Sequence, residues 1–408
     1  MTTPSLDPLQ LREATDCPVC RSSDAFQPKG AFGQYWMKRC TACGHCKNWR
    51  LPKITKTIIY LDQFVISNMV KAKQQIWTEL HTKLSTLAGL QLVVCPYSDI
   101  HQDESILSHA LRDGLKEMFR SFGGDNRFRN THNIEQSQLL ASMRKWLGVT
   151  QSEHAGPAWR DAFDHDPHTW AADLQVFADF PVHVPWVTDL RNRKQALHTD
   201  IQSVCDYWRD NPRTFEQDVA EEVRGYARTS LELYRSLAHA TFNPDIPPSA
   251  HQGVLLIHLL AVEVSKARPD KADPVAVVEE FFDSPHARST PFLDIAACLW
   301  AKIAQSVRSP KPRTPDDGDS FDIKAISRYA FYCDSMFVER EFEELCRQVK
   351  LGERYSVRLF SMNTRDEFLV YLDDILGNMS DAHKVGLALL YPHLISILPC
   401  LGRQEENP

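Results

Sequence analysis

The sequence predicts an α/β fold in which helices flank a parallel sheet. Strand–helix alternation, the pattern of parallel sheets, occurs at residues 57–120 and again at 321–380. Between these two regions, apolar residues recur mostly at helical spacing. Two Cys-x-x-Cys pairs lie near the start of the chain. We therefore expect a cysteine-rich segment, a first part of the α/β domain, a large α-helical insertion, and a second part with C-terminal helices, at residues 1–53, 54–120, 121–308 and 320–408.

The composition is typical of a folded globular chain. With 408 residues, 43% of them hydrophobic, the chain can form two or three domains with a sizeable core. The net charge of −7 does not favour nucleic-acid binding by the molecule as a whole. The 11 cysteines are an odd number and no secretion signal precedes them, so we expect a cytoplasmic protein with reduced thiols. The longest apolar run is too short to span a bilayer, so no membrane partner is expected.

Four cysteines have the spacing of a zinc ribbon. They form two C-x2-C pairs separated by nineteen residues: Cys17 and Cys20, then Cys40 and Cys43. Two residues between thiolates allow one turn to direct both sulfurs at a cation, and two such turns complete a tetrahedron. Protein would fill all four positions, so the Zn²⁺ is expected to be structural and to stabilise a segment with little core of its own. His45 and Cys46 lie close enough to replace the fourth ligand.

The same segment is locally basic and aromatic. No acid occurs between Asp24 and Asp62, whereas seven basic residues do: Lys29, Lys38, Arg39, Lys47, Arg50, Lys53 and Lys56. Aromatic residues are interleaved with them: Phe26, Phe32, Tyr35, Trp36 and Trp49. Such side chains can neutralise phosphates and stack on unpaired bases, or they can form a solubilising face around a small aromatic core. The sequence alone leaves both interpretations open.

The first α/β region begins with a short buried strand. TIIYL (57–61) consists of β-branched, aromatic and aliphatic residues, which predicts a strand. Apolar residues at helical spacing then predict a helix over 64–88. QLVVC (91–95) predicts a second strand, which Pro96 ends, and Ser98 is placed to cap a helix that runs to about residue 120.

The remaining elements follow from periodicity and breakers. Long helices are predicted at 215–240, 253–267 and 291–307. SPKPRTPDDGD (309–319) predicts a linker, because Pro, Gly and Asp interrupt regular structure. Beyond it we expect a helix in FDIKAISRYAFY, a strand in SMFV, a helix in EREFEELCRQV, a last strand in VRLFS, and terminal helices over 363–399.

Acids recur where these strands end or helices begin. Asp62 directly follows the first strand, Glu104 lies one and a half turns into the helix after the second, and Asp322 opens the helix after the linker. Asp334 precedes the strand SMFV and Glu339 follows it. Each acid alone has an ordinary role, such as capping a helix or solvating a helix face. Brought together, they would repel one another unless a hard divalent cation bound them.

The order of these blocks resembles that of PIN-like nuclease domains. IIYLDQF carries Asp62, PYSDIHQDES carries Glu104, and FDIKAISRYAFYCDSMFVERE carries Asp322 and Glu339, with Asp334 just before the strand, where many members have an Asp. The resemblance covers about a third of the chain. It implies a parallel α/β/α sandwich with Mg²⁺ or Mn²⁺ in a pocket of three or four acids. Most active members cleave RNA, and related nucleases cut DNA.

The chain departs from the family in two ways. The last acid is usually Asp, whereas this chain has Glu339 and Glu341. Independently of the family, the residues of the second block leave Asp99 and Asp103 as alternatives to Glu104. The helical stretch is also far longer than in minimal members. We expect it to clamp substrate or to bind a protein partner or a second copy of the chain. Candidate phosphate contacts in it are RNRK (191–194) and Arg288.

The leading hypothesis is a metal-dependent nuclease that acts on RNA, with a toxin or defence role by analogy only. The expected catalytic acids are Asp62, Glu104, Asp322 and Glu339, and the expected Mg²⁺ or Mn²⁺ ligands are Asp62, Glu104, Asp322 and Asp334. The chain lacks the phosphate-binding loop of nucleotide-driven enzymes and the glycine fingerprint of dinucleotide enzymes. The alternative hypothesis is a zinc-ribbon nucleic-acid-binding or assembly protein with an inactive PIN-like fold.

Overall fold

The N-terminal part is a three-stranded antiparallel sheet next to a short helix. The computed structural model describes residues 8–107, 111–124, 126–149, 159–171, 201–237 and 248–395. Helix α1 (Pro8–Arg12) precedes strands β1 (Phe26–Phe32), β2 (Tyr35–Cys40) and β3 (Cys46–Arg50), which pair in the order β1-β2-β3. Gly33 begins the two-residue turn between β1 and β2 with a φ of 58°, a conformation that hairpin turns require and glycine adopts without strain.

A four-stranded parallel sheet follows. Its strands are β4 (Thr57–Leu61), β5 (Val93–Val94), β6 (Ser335–Phe337) and β7 (Arg358–Phe360), in the spatial order β5-β4-β6-β7. All four lie within the strands predicted from the sequence. The chain moves to one side from β4 to β5 and returns on the other side at β6. The strand order therefore reverses between β4 and β6, and ligands of parallel sheets bind at the carboxyl ends of strands at such a point.

Helices make up most of the remaining described chain. Up to residue 210 they are α2 (Gln63–Lys71), α3 (Gln75–Gly89), α4 (Asp99–Leu107), α5 (Arg112–Gly123), α6 (Thr131–Leu147), α7 (Trp159–Ala162) and α8, described over 201–210. Beyond it they are α9 (Phe215–Leu237), α10 (Pro248–Ala267), α11 (Pro274–Phe282), α12 (Pro285–Arg288), α13 (Pro291–Val307), α14 (Asp317–Tyr329), α15 (Arg340–Gln348), α16 (Leu351–Tyr355), α17 (Arg365–Gly377), α18 (Asp381–Leu390) and α19 (Pro392–Ile395). A 3₁₀ turn, Ala330–Tyr332, follows α14. None of the described helices is both long and apolar enough to cross a membrane.

The predicted helix over 64–88 is divided into α2 and α3. Ala72 has a left-handed backbone with a φ of 45°, and its amide donates to the carbonyls of Asn68 and Met69, which ends α2. The predicted linker over 309–319 is shorter than expected, because α14 already begins at Asp317. The side chain of Asp316 accepts from the amides of Gly318 and Asp319, and the Asp319 carboxylate accepts from the Asp316 amide, which is a reciprocal capping box.

Both faces of the parallel sheet are buried. In β4, Ile58 and Tyr60 face one apolar core, and Ile59 and Leu61 face the other, because successive strand residues point to opposite faces. The first core also contains residues of α6, α9, α10, α13 and α14, and the second contains residues of α2, α3, α5 and α17. The described part of the helical stretch 121–308 thus packs on the sheet and shares a core with it.

Candidate functional site

The four predicted zinc ligands converge. The distance between the Sγ atoms of Cys17 and Cys43 is 3.7 Å, and that between Cys20 and Cys40 is 3.6 Å. All four sulfurs lie within 4.8 Å of one another. A tetrahedral zinc with bonds of about 2.3 Å requires sulfurs roughly 3.8 Å apart, so the cluster could hold this ion.

The two turns that carry the cysteines have the same conformation despite different sequences. Arg21 and Gly44, the residues after each pair, have positive φ angles of 61° and 75°. Their amides donate to the carbonyls of Cys17 and Cys40 at 2.9 and 3.1 Å. The amide of Val19 faces the Cys17 sulfur at 3.4 Å, and that of Ala42 faces the Cys40 sulfur at 3.3 Å. Such amides stabilise the thiolates that zinc requires.

His45 and Cys46 do not belong to this cluster. The Cys46 thiol lies 3.7 Å from the side-chain oxygen of Asn48, and the His45 ring stacks on Phe26 with 5.6 Å between centroids. Cys43, rather than His45 or Cys46, therefore completes the group of four sulfurs that could hold the ion.

Asp62 lies at the carboxyl end of β4, beside the end of β6. Its amide donates to the Phe337 carbonyl at 3.0 Å, and its Oδ1 accepts from the Phe64 amide at 3.2 Å. The residue thus caps α2, as its position in the sequence suggested. One helix cap does not use all the acceptor positions of a carboxylate, so Asp62 can serve a second partner.

His101 fixes the backbone just before Asp62. Its Nδ1 accepts from the Ser98 amide at 3.2 Å, so its Nε2 carries the proton and donates to the Leu61 carbonyl at 2.8 Å. Burial lowers the pKa of His101 to about 4, which keeps the imidazole neutral. Ser98 caps α4 as predicted, with its Oγ accepting from the His101 amide at 3.2 Å. His101 therefore links the Ser98 turn to the end of β4 and acts in positioning.

Asp322 reaches Asp62 from α14. The two carboxyls share a hydrogen bond that lowers the pKa of Asp62 and raises that of Asp322. Burial is the largest cause of the raised pKa of each acid, and other acids add to it. The pair therefore favours one shared proton when no cation is bound. Because α14 begins at Asp317, Asp322 lies in its second turn rather than at its first residue.

Glu104 and Glu339 complete the acidic group. Glu104 on α4 raises the pKa of Asp322, and together with Asp62 and Asp322 it also raises that of the buried Tyr60. Glu339 follows β6, is exposed, and raises the pKa of both Asp62 and Asp322. The four acids predicted to be catalytic therefore interact, and we call them the acidic site. Asp62 and Asp322 are in contact, but the four acids do not form a cluster as tight as that of the cysteines, since only the four cysteines, among the described residues, bring three or more metal-ligating atoms within 4.8 Å.

Asp334 does not belong to the acidic site, and its expected role as a ligand is wrong. Its Oδ2 accepts from the Ile58 amide at 2.7 Å, and its own amide donates to the Ile58 carbonyl at 2.9 Å. Asp334 precedes β6 and therefore lies at the amino end of a parallel strand, whereas Asp62 lies at the carboxyl end of β4. Four residues of extended chain, about 13 Å, separate the level of Ile58 from Asp62.

The competing acids have other partners. Asp99 accepts from the Tyr329 hydroxyl at 2.7 Å and from the Thr131 hydroxyl at 2.8 Å, so it ties α4 to neighbouring helices. Glu341 forms an ion pair with Arg313. Among the acids of these two blocks, Glu104 and Glu339 are those whose charges raise the pKa of Asp322, and Glu339 also raises that of Asp62. Of the predicted phosphate contacts, Arg288 pairs with Glu216, and residues 191–194 lie outside the described residues.

The acidic site fits a hard divalent cation on two grounds. Its donors are carboxylate oxygens, and the mutual repulsion of these acids is relieved by positive charge. Gln63, directly after Asp62, is only 8% exposed and donates through Nε2 to Ser105 Oγ at 3.2 Å. Its Oε1 is closed to solvent and meets no donor in the described part of the chain. A buried amide oxygen without a donor is a ready acceptor for a cation or its water. Nothing in the sequence distinguished Gln63 from the other glutamines.

No family model matches this chain, and neither the curated proteins nor the solved structures include a match to it. The fold and the site themselves define the class. It is an α/β protein with a four-stranded parallel sheet, a candidate zinc ribbon and an acidic site at the carboxyl ends of the strands.

Proposed function

We propose that this protein is a metal-dependent nuclease with a PIN-like arrangement, in which the acidic site holds Mg²⁺ or Mn²⁺ and hydrolyses phosphodiester bonds of RNA. One observation carries the proposal. Four acids from distant parts of the chain interact where the strand order reverses: one directly follows β4, two lie on α4 and α14, and one follows β6. Asp62 accepts from an amide as structural acids do, but its carboxyl also meets that of Asp322, whereas a structural acid is normally paired with a cation or an amide alone.

The roles of the residues follow from their surroundings. Asp62 and Asp322 are buried and in contact, so they would supply the ligand oxygens that are held most firmly. Glu104 and Glu339, whose charges act on Asp322, would supply further carboxylate oxygens on longer side chains. A Mg²⁺ or Mn²⁺ held by these acids would supply Lewis acidity for the attack of water on phosphorus and would offset the charge on the leaving oxygen. A role in defence or as a toxin remains an analogy with similar architectures.

The test is metal-dependent cleavage. We expect purified protein to cut single-stranded RNA with added Mn²⁺ and not with a chelator that spares the zinc. Asp62→Asn and Asp322→Asn should each lower the rate at least about 100-fold, because each removes a charged ligand. Both variants should also unfold at a higher temperature than the wild type without metal, because each relieves repulsion between buried acids. Mn²⁺ should raise the unfolding temperature of the wild type only.

Asp334→Asn is the matched control. Its side-chain oxygen can still accept from the Ile58 amide, so the fold is kept, and we expect cleavage at the wild-type rate. Tight binding of RNA without cleavage in any metal would contradict the nuclease and support the alternative, a zinc-ribbon protein with an inactive site. Cleavage that survives both Asp62→Asn and Asp322→Asn would show that the acidic site is not responsible.

A further inference from the structure

The zinc ribbon has one open face, which we call the exposed ribbon face. Phe32 on β1, Tyr35 on β2 and Arg50 on β3 are directly opposite one another in the strand register, so their side chains share a face. Phe32 is 58% exposed and Tyr35 is 48% exposed, although both are large and aromatic. Met37 and Arg39 continue the same face along β2, because strand residues two apart point to the same side.

The opposite face of the same sheet is structural. Trp36 is buried, and its Nε1 donates to the Leu11 carbonyl at 3.1 Å. Lys38 is only 2% exposed, and its ammonium donates to the Glu13 carbonyl and to Thr15 Oγ1, both at 2.9 Å. Lys56, which lies outside this sheet just before β4, is also buried and donates to Gln91 Oε1 at 2.9 Å. The sequence left open whether these basic and aromatic residues bind a ligand or form a core. The structure buries Trp36 and Lys38 on one face of the sheet and leaves Tyr35 and Arg39 exposed on the other.

The exposed basic residues carry charge without local acids. Of the seven lysines and arginines in this segment, Lys29, Arg39, Lys47, Arg50 and Lys53 are exposed. No acid lies between Asp24 and Asp62, in a chain whose net charge is −7. By the strand register, Arg39 and Arg50 lie on the exposed ribbon face, whereas Lys47 lies opposite Lys38 and therefore on the other face. The two arginines make the exposed ribbon face positive within an acidic protein, which attracts a polyanion to this face. Arg50 also donates to Gln34 Oε1 at 3.4 Å, which holds its guanidinium at the hairpin end beside Tyr35.

We propose that the exposed ribbon face binds a single strand of nucleic acid. Bases stack on the rings of Phe32 and Tyr35, and Arg39 and Arg50 contact phosphates. Tyr35 and Arg39 are four residues apart along β2, about 13 Å, which spans several nucleotides. The strand must be unpaired, since bases within a duplex do not offer their faces to side chains. This proposal and the proposed function concern the same class of ligand, nucleic acid. Binding at the exposed ribbon face does not require that the acidic site cleaves it.

Binding is measured by fluorescence anisotropy with a labelled 15-nucleotide oligouridine RNA, on full-length zinc-loaded protein carrying Asp62→Asn and without Mn²⁺ or Mg²⁺. Because the acidic site cannot cut RNA under these conditions, the anisotropy reports binding alone. The result therefore does not depend on whether the wild-type acidic site is active. We expect Phe32→Ala with Tyr35→Ala to weaken binding about tenfold or more, since two stacking platforms are lost. Arg50→Gln should reduce the slope of log affinity against log salt by about 0.7, the value for one phosphate contact on a single strand.

The matched control is Tyr207→Ala on α8. Tyr207 is 43% exposed and lies under Arg213, at 5.1 Å, so it is another exposed aromatic residue next to an arginine. We expect it to bind the RNA like the parent protein. Zinc content and circular dichroism confirm that the ribbon variants are folded. The proposal is overturned if the double variant binds normally, if Tyr207→Ala weakens binding equally, if duplex RNA binds as tightly, or if the parent protein does not bind the RNA.

Discussion

At the scale of single residues, the side chain of Gln63 combines burial with an unsatisfied oxygen. A buried amide oxygen without a donor costs about 1–3 kcal/mol, so its position next to Asp62 requires a physical reason. The Nε2 bond to Ser105 connects α2 with α4, which carries Glu104. A cation at the acidic site, or a water bound to it, would supply the missing partner.

We expect Gln63→Leu to weaken Mn²⁺ binding about 10-fold or more, because groups that support metal ligands have effects of this size. Stability without metal should change little, since the loss of the bond to Ser105 is offset by the removal of the unsatisfied oxygen. Calorimetric titration with Mn²⁺ and thermal unfolding measure the two effects. Equal Mn²⁺ affinity in the variant and the wild type would contradict a role for this oxygen.

Gln138→Leu is the control for that experiment. Gln138 is also buried, but its Nε2 donates to the Tyr332 hydroxyl at 3.2 Å and its Oε1 accepts from the Phe292 amide at 2.8 Å. We expect this variant to lose about 1–3 kcal/mol of stability and to keep its Mn²⁺ affinity. The two variants thus separate a structural glutamine from one that serves the site.

At the scale of elements, α18 packs closely on Trp170 through Gly386. A Cβ atom at Gly386 would lie 2.1 Å from Trp170 Cζ2, and the indole Nε1 is held by the Pro52 carbonyl at 2.8 Å. His383 on the same helix donates to the Leu90 carbonyl at 2.8 Å if Nε2 carries the proton. The indole therefore has little room to move away from α18.

We expect Gly386→Ala to lower the free energy of unfolding by about 1–3 kcal/mol through overpacking. Gly377→Ala, at the end of α17, is the control, because a Cβ there meets no atom within 4 Å. It should be neutral or slightly stabilising, since alanine is the better helix former. Urea denaturation measures both. A stable Gly386→Ala variant would show that Trp170 can move at low cost.

Helix α9 carries an acid that makes stability depend on pH. Burial raises the pKa of Glu222 to about 7, and the charges of Asp218 and Glu221 add to this effect. In the unfolded chain the pKa of a glutamate is about 4.3. The folded state therefore binds more protons between pH 4.3 and 7, and the free energy of unfolding falls as pH rises through this window.

We expect Glu222→Gln to be more stable than the wild type above pH 7, by about 1–3 kcal/mol, and the difference to vanish below about pH 4. Urea denaturation of metal-free protein across this range provides the measurement. Glu221→Gln is the contrasting variant, because Glu221 pairs with Arg224 and Arg228 at 2.9 and 3.3 Å, and it should not gain stability. A difference for Glu222→Gln that does not depend on pH would exclude its titration as the cause.

At the scale of the whole molecule, the ribbon is attached to the main body rather than independent. Leu11 and Trp36 belong to the same apolar core as residues of β4 and α2, and the Arg12 guanidinium donates to the Ala388 carbonyl at 3.4 Å.

We expect one zinc per chain. The Cys17→Ser variant should lose this zinc and unfold at a lower temperature, because a site with three ligands binds zinc weakly. Metal analysis and thermal unfolding measure this. Cys46→Ser is the control and should keep the zinc, since its thiol lies outside the cluster. Loss of zinc in Cys46→Ser would contradict the geometry.

Local patterns allowed a large part of this architecture to be predicted. The strand TIIYL is an apolar run, and the four cysteines are paired by two-residue gaps, so both follow from neighbours in the chain. Helix α13 begins and ends as predicted, at Pro291 and Val307, because its apolar periodicity is uninterrupted. Helix α14 begins earlier than the sequence pattern predicts. The capping box of Asp316 and Asp319 lies in a segment rich in Pro and Asp, which is typical of a linker.

The sequence by itself determined the strands of the parallel sheet, the cluster of four cysteines and the position of Asp62 at the end of β4. These depend on spacing over a few residues. Only the tertiary structure decided that Asp322 contacts Asp62 while Asp334 lies at the other edge of the sheet, and that Lys38 is buried while Arg39 is exposed. Such outcomes depend on which strands pair and in which register, because a shift of one residue moves a side chain to the opposite face.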